Sequence, residues 1–132
     1  MANEINIIAG LTASKSGVNA SMSGNMTTSM STTSDSLIHL IQDVTTGAED
    51  VELGDINTAA EYIVALRNLD SEAYIDVDFY SGDTSQQARI RAGETLGPIR
   101  MLPVDMNTLR VKASAGTVQM EVIACEAGNP AA

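Results

Sequence analysis

Each of the two residue types best suited to covalent or acid–base chemistry occurs once in this 132-residue chain, as His39 and Cys125. A Ser-His-Asp or Cys-His nucleophile needs an imidazole beside a reactive oxygen or sulfur. His39 lies between Ile38 and Leu40, and Cys125 closes the apolar run Val122-Ile123-Ala124-Cys125. These settings read as a strand histidine and a small buried hydrophobe. One histidine and one cysteine cannot assemble a zinc cluster or a disulfide framework. The chain is therefore expected to be non-enzymatic and to carry no cofactor.

Asp76, Asp78 and Asp83 are the remaining candidate ligands. Asp76 and Asp78 are two apart, so a strand points both to one face. Hard oxygen donors at that spacing suit Ca²⁺, although the glycine and terminal Glu of an EF-hand loop are misplaced. The alternative is a solvated acidic strand face. Arg89/Arg91 and Arg110/Lys112 mirror the arrangement with cations. Cross-strand ion pairs follow if these strands neighbour the Asp76/Asp78 strand. No Gly-rich phosphate loop or aromatic platform accompanies them.

The net charge is −10, from 17 acidic and 7 basic residues. That field repels phosphate backbones, so nucleic acid is not an expected partner. The longest apolar runs fall short of the roughly 20 residues of a membrane helix. Nothing at the start reads as a secretory leader, and the chain is expected to be made in cytoplasm. One Phe, three Tyr and no Trp leave the core to Ile, Val, Leu, Ala and Met. Aromatic residues dominate compact cores, so their scarcity points to oligomer contacts as part of the stability.

The elements that would hold these residues are strands. Tyr62, Val64 and Leu66 alternate with Glu61, Ile63, Ala65 and Arg67. Ile75, Val77 and Phe79 oppose Asp76 and Asp78. Ser36 to Val44 reads as a strand buried on both faces rather than a short helix. Pro98 makes the 95–102 segment an edge strand or an extended crossing. Turn signals recur about every 10 residues, at Gly54-Asp55, Asn68 to Glu72, Ser81-Gly82-Asp83, Gly93-Glu94 and Ser114 to Thr117, a spacing typical of sandwiches and barrels. The expected fold is all-β: an antiparallel β-sandwich, jelly-roll-like, with an extended β N-terminal arm. Residues 1–50 form the arm and additional strands, 51–126 the core sandwich, and 127–132 a frayed tail.

The arm rests on one run. Val18, Ala20, Met22, Gly24, Met26, Thr28 and Met30 alternate with Asn19, Ser21, Ser23, Asn25, Thr27, Ser29 and Ser31. Fully extended, these residues would span roughly 45 Å, against a radius of gyration of roughly 14 Å for a compact domain of this length. Either the run turns back at Ser23-Gly24-Asn25, or it leaves its domain and lies on a neighbouring chain. In the second case Val18, Ala20, Met22, Met26, Thr28 and Met30 form an oligomer or partner interface.

Several segments carry a resemblance. Gly54-Asp55-Ile56, Tyr62 to Asp70 (YIVALRNLD), Ala73 to Val77, Arg91-Ala92-Gly93-Glu94, and Leu109 to Ala113 with Val118 to Glu121 resemble the small structural proteins of tailed-bacteriophage virions. The hydroxyl-rich alternating N-terminal run is similar to theirs as well. The resemblance implies a capsid decoration or cement protein, self-associating as a trimer and contacting the major capsid protein or other virion proteins. A neck or tail component is the alternative location within the virion. A Ca²⁺- or glycan-binding β-module is the alternative class.

Overall fold

Ten strands and no helix make up the described residues of the computed structural model, which are 4–29, 37–54, 56, 61–79, 86–101 and 109–126. They are β1 (Glu4–Lys15), β2 (Val18–Ser29), β3 (Leu37–Val44), β4 (Glu49–Asp50), β5 (Tyr62–Asn68), β6 (Ile75–Asp78), β7 (Ala88–Ile90), β8 (Thr95–Met101), β9 (Arg110–Ala113) and β10 (Val118–Glu126). The protein is all-β, as the alternation and turn spacing indicate.

β3 to β10 build two antiparallel four-stranded sheets. One runs β3-β10-β5-β8, the other β4-β9-β6-β7. Of these eight strands the first pairs with the last, the second with the seventh, the third with the sixth and the fourth with the fifth. The chain thus follows a long hairpin rolled over on itself, the jelly-roll form of the sandwich. The strand order follows from the pairing: β10 joins β3 to β5, and β9 joins β4 to β6.

Period-2 patterning places the core between the sheets. Tyr62, Val64 and Leu66 of β5 and Val118, Met120, Val122 and Ala124 of β10 face Ile75, Val77, Ile90, Val111 and Ala113 of the opposite sheet. Each fully buried aliphatic side chain contributes about 1.5–3 kcal/mol of transfer free energy. The buried polar side chains of Gln42 and Asn68 are satisfied locally. Gln42 donates through Nε2 to the Asp50 carbonyl and accepts the Glu52 amide at Oε1, fastening β3 to the opposite sheet. Asn68 is fully buried and donates through Nδ2 to the Ala73 and Ile90 carbonyls, while its Oδ1 accepts the Asp70 amide. Its backbone also meets the Ala-Gly-Glu turn: the Asn68 amide donates to the Glu94 carbonyl, and the Gly93 amide donates to the Asn68 carbonyl. The Asn-Leu-Asp and Ala-Gly-Glu motifs are therefore two halves of one corner.

β8 takes the sheet edge expected from Pro98. Its Gly97 has φ +99°, and a Cβ there would stand 2.8 Å from the Val64 carbonyl oxygen, beside the register shift between Val64 and Leu66.

Three expectations are corrected. β3 is buried on one face only: Gln42 and Val44 turn inward while Leu37, His39 and Ile41 are exposed. The additional strands expected within 1–50, β3 and β4, belong to the two sandwich sheets, so the sandwich takes in residues from Leu37 rather than from 51. The 18–31 run does not turn back at Ser23-Gly24-Asn25. It continues as β2 through Gly24 and pairs along its whole length with β1. The turn lies at Ser16-Gly17, whose φ values of +49° and +83° fit the two-residue hairpin geometry that follows strand twist. Met30, the 31–35 connector, Ser81-Gly82-Asp83 and the 127–132 tail lie outside the described residues.

Candidate assembly interface

The polar candidates come to rest on the outside of the sandwich. On β6, Asp76 lies opposite Arg89 of β7 and Lys112 of β9, and Asp78 lies opposite Arg110 of β9. The Arg89 guanidinium donates to Asp76 from Nε at 2.7 Å and lies 3.8 Å above the Tyr74 ring. The bond to Asp76 raises the Arg89 pKa further. The cross-strand ion pair expected from spacing is thus present. Asp76, Asp78, Gln86, Arg110 and Lys112 line an open groove with Thr46 and Ala48. Asp78 is buried rather than solvated. Asp83 falls outside the described residues. Among the described residues, His, Cys, Asp and Glu form no group of three or more that could hold a metal ion.

His39 and Glu121 sit on the outer face of the β3-β10-β5-β8 sheet, with Nε2 2.6 Å from Glu121 Oε2. Cys125, on that same face, is buried beneath the hairpin's base. It clusters with Ile63 of β5 and Ile5 of β1, and Ile7 packs alongside. Burial pushes the thiol pKa up, which keeps the sulfur protonated and unreactive at neutral pH. The two lone residues do not meet in a nucleophile–base pair.

What remains is the hairpin. Residues directly opposite in an antiparallel pair share a face. Ala9 pairs with Gly24, Leu11 with Met22, Ala13 with Ala20 and Lys15 with Val18. The even positions of β2 and the odd positions of β1 therefore make one apolar face. Its base is anchored by Ile5 on Ile63 and Cys125. Beyond Ile7 every residue to the tip and back to Asn25 is exposed, with Leu11 at 68%, Val18 at 70% and Met22 at 74%. The opposite face carries Asn6, Thr12, Ser14, Asn19, Ser21 and Ser23, together with exposed Ile8. At about 3.4 Å per residue, each 12-residue strand extends about 40 Å.

Of the expected interface residues, Val18, Ala20 and Met22 lie together on this exposed apolar face. Met26 and Thr28 occupy backbone positions opposite Ile7 and Ile5. Met30 lies outside the described residues. Sequence reasoning reads Ile5 to Ala13 as a mildly alternating apolar segment ending at Ser14-Lys15-Ser16-Gly17 but does not pair it with the 18–31 run. Ile5, Ile7, Ala9, Leu11 and Ala13 also alternate with small or polar residues, but Ile8 breaks the pattern. The Ser16-Gly17 pair between the two runs was the available hairpin signal. Sequence reasoning also missed a second exposed apolar surface, where Leu37, Ile41 and Ile123 share the outer sheet face with His39 and Glu121. Comparison with protein-family models, curated proteins and solved structures returns no match.

Proposed function

We propose that this protein is a non-enzymatic assembly component whose hairpin arm is covered by a neighbouring chain. We further propose, from the sequence resemblance, that the assembly is a tailed-bacteriophage virion, with the protein as a head decoration or cement subunit. The observation that carries the reading is the anchored hairpin with one exposed apolar face. A monomer in water gains nothing from displaying Leu11, Val18 and Met22 together. Exposed contiguous apolar surface of this kind marks an interaction site.

The mechanism is mass action. Each copy buries apolar strand surface only in the assembled state, so occupancy stabilises the assembly and not its separated parts. Burial of each such side chain contributes about 1.5–3 kcal/mol. The outer edges of β1 and β2, which no third strand joins among the described residues, add strand-to-strand hydrogen bonds where a partner strand aligns. A jelly roll hosts many functions, and it is compatible with a capsid role.

Light scattering of the full chain across a hundredfold dilution tests the assembly part. A self-associated species that dissociates on dilution supports it, and a monomer at every concentration removes it. Copy number in purified particles tests the location. Hundreds of copies place the protein on the head, while a dozen or fewer place it in the neck or tail.

A further inference from the structure

Six of the eight large hydrophobic residues exposed among the described ones fall on two surfaces: Leu11, Val18 and Met22 on the apolar face of the hairpin, and Leu37, Ile41 and Ile123 on the outer face of the β3-β10-β5-β8 sheet. We infer that these two surfaces are donor and acceptor for each other between copies: the apolar face of one chain's hairpin lies on the Leu37-Ile41-Ile123 face of a second copy. The inference rests on the assembly reading above and names its partner.

Three observations select this occupant. The first is continuity. The chain's own hairpin base already packs Ile5 and Ile7 against Ile63 and Cys125 of that same sheet face. Leu37 is the cross-strand neighbour of Cys125, and Ile123 is two residues along the same strand. The uncovered part of the face therefore begins where the covered part stops. The chemistry that fits the covered part is hairpin aliphatic on strand aliphatic.

The second is charge. Residues 1–34 contain one acid, Glu4, and one base, Lys15, so the whole net charge of −10 rests on residues 35–132. Two sandwiches approaching each other meet like-charge repulsion. The hairpin, with no net charge, is a long surface that an acidic body can accept without that cost. Its single cation, Lys15, stands at the tip, and the acceptor face ends toward Asp43 and Glu121.

The third is reach. A four-stranded sheet is about 19 Å across at about 4.8 Å per strand, and the hairpin extends about 40 Å. It can cross the acceptor face completely while its base stays anchored at home. Because donor and acceptor are different patches, the contact closes either reciprocally in a pair or head-to-tail in a ring.

The experiment uses two full-length variants with complementary lesions at exposed positions. Leu11→Lys/Met22→Lys removes the donor, and Ile41→Lys/Ile123→Lys removes the acceptor. Lysine in both sets adds no new attraction between them. Circular dichroism checks the fold. The same four positions changed to Gln form a second set, which applies if a Lys variant loses its strand signal and is expected to weaken association at least tenfold. Size-exclusion with light scattering is expected to show each variant alone as a monomer and their equimolar mixture as a two-chain complex. An acceptor variant that stays assembled alone means hairpins bind each other, which overturns the inference and leaves the assembly reading standing. A mixture that stays monomeric also overturns the inference. A wild-type chain that is monomeric throughout removes the assembly reading itself.

Discussion

Asn68 shows how one side chain fixes a corner of the sandwich. Its amide serves two carbonyls, Ala73 and Ile90, and its carbonyl oxygen serves the Asp70 amide. Asn68→Ala leaves the Ile90 carbonyl short of this partner in a buried place, at about 1–3 kcal/mol for a buried group left unsatisfied, and the Ala73 carbonyl and Asp70 amide short of theirs in partly buried ones. Urea unfolding should show a midpoint shift with little change in slope. Next to it, the Asp70 carboxylate accepts the Ala73 and Glu72 amides. The Ala73 bond, then the Glu72 bond, hold its pKa below the usual carboxylate value. A carboxylate depressed in the folded state contributes stability that is present above its unfolded pKa and lost as pH falls through its folded one. Thermal stability of the wild type should therefore decline on acidification below about pH 4. Asp70→Asn should flatten that decline.

At the scale of elements, the hairpin and the sandwich meet at one small joint, Ile5 and Ile7 against Ile63 and Cys125. The thiol reports on that joint. In the wild type Cys125 should react slowly with a soluble thiol reagent, because it is buried and its pKa is raised. Ile5→Lys lifts the hairpin base and should speed labelling severalfold at unchanged strand content. An equal rate in both proteins would mean the joint opens freely without the substitution. Much of this element structure is legible in the residues. Tyr62-Val64-Leu66 and Ile75-Val77 alternate cleanly, and each turns the expected side to the core. Pro98 names its own edge. The hairpin was half legible: β2 announces itself, but Ile8 hides the matching face of β1, and Gly24 imitates a turn in the middle of a strand. The acceptor face was not legible. Leu37, Ile41 and Ile123 carry the residue types of a buried strand, and only their exposure shows that the hairpin base, packed on Ile63 and Cys125, leaves them uncovered.

The molecule as a whole is an acidic body with a neutral arm. Salt should act on these two parts differently. Screening removes repulsion between sandwiches and leaves apolar contacts intact. Raising NaCl from about 20 mM to about 200 mM, which shortens the screening length to roughly 10 Å or less, should tighten self-association. Sedimentation equilibrium measures it, and weaker association at higher salt would point to ion pairs as the main contact. The jelly-roll pairing, in which the first sandwich strand lies along the last, also fixes which pole of the body is busy. Leu37 and Cys125 are neighbours, so the arm's point of departure and the end of β10 share one pole, while Val44 and Val118 mark the other. The Ser114 to Thr117 turn is at that far pole, and all four of its residues are exposed. A foreign epitope spliced between Ala115 and Gly116 should leave the thermal unfolding midpoint unchanged and be readable by antibody on the folded chain. The chain carries, in effect, a ready insertion site at the pole opposite the arm's departure.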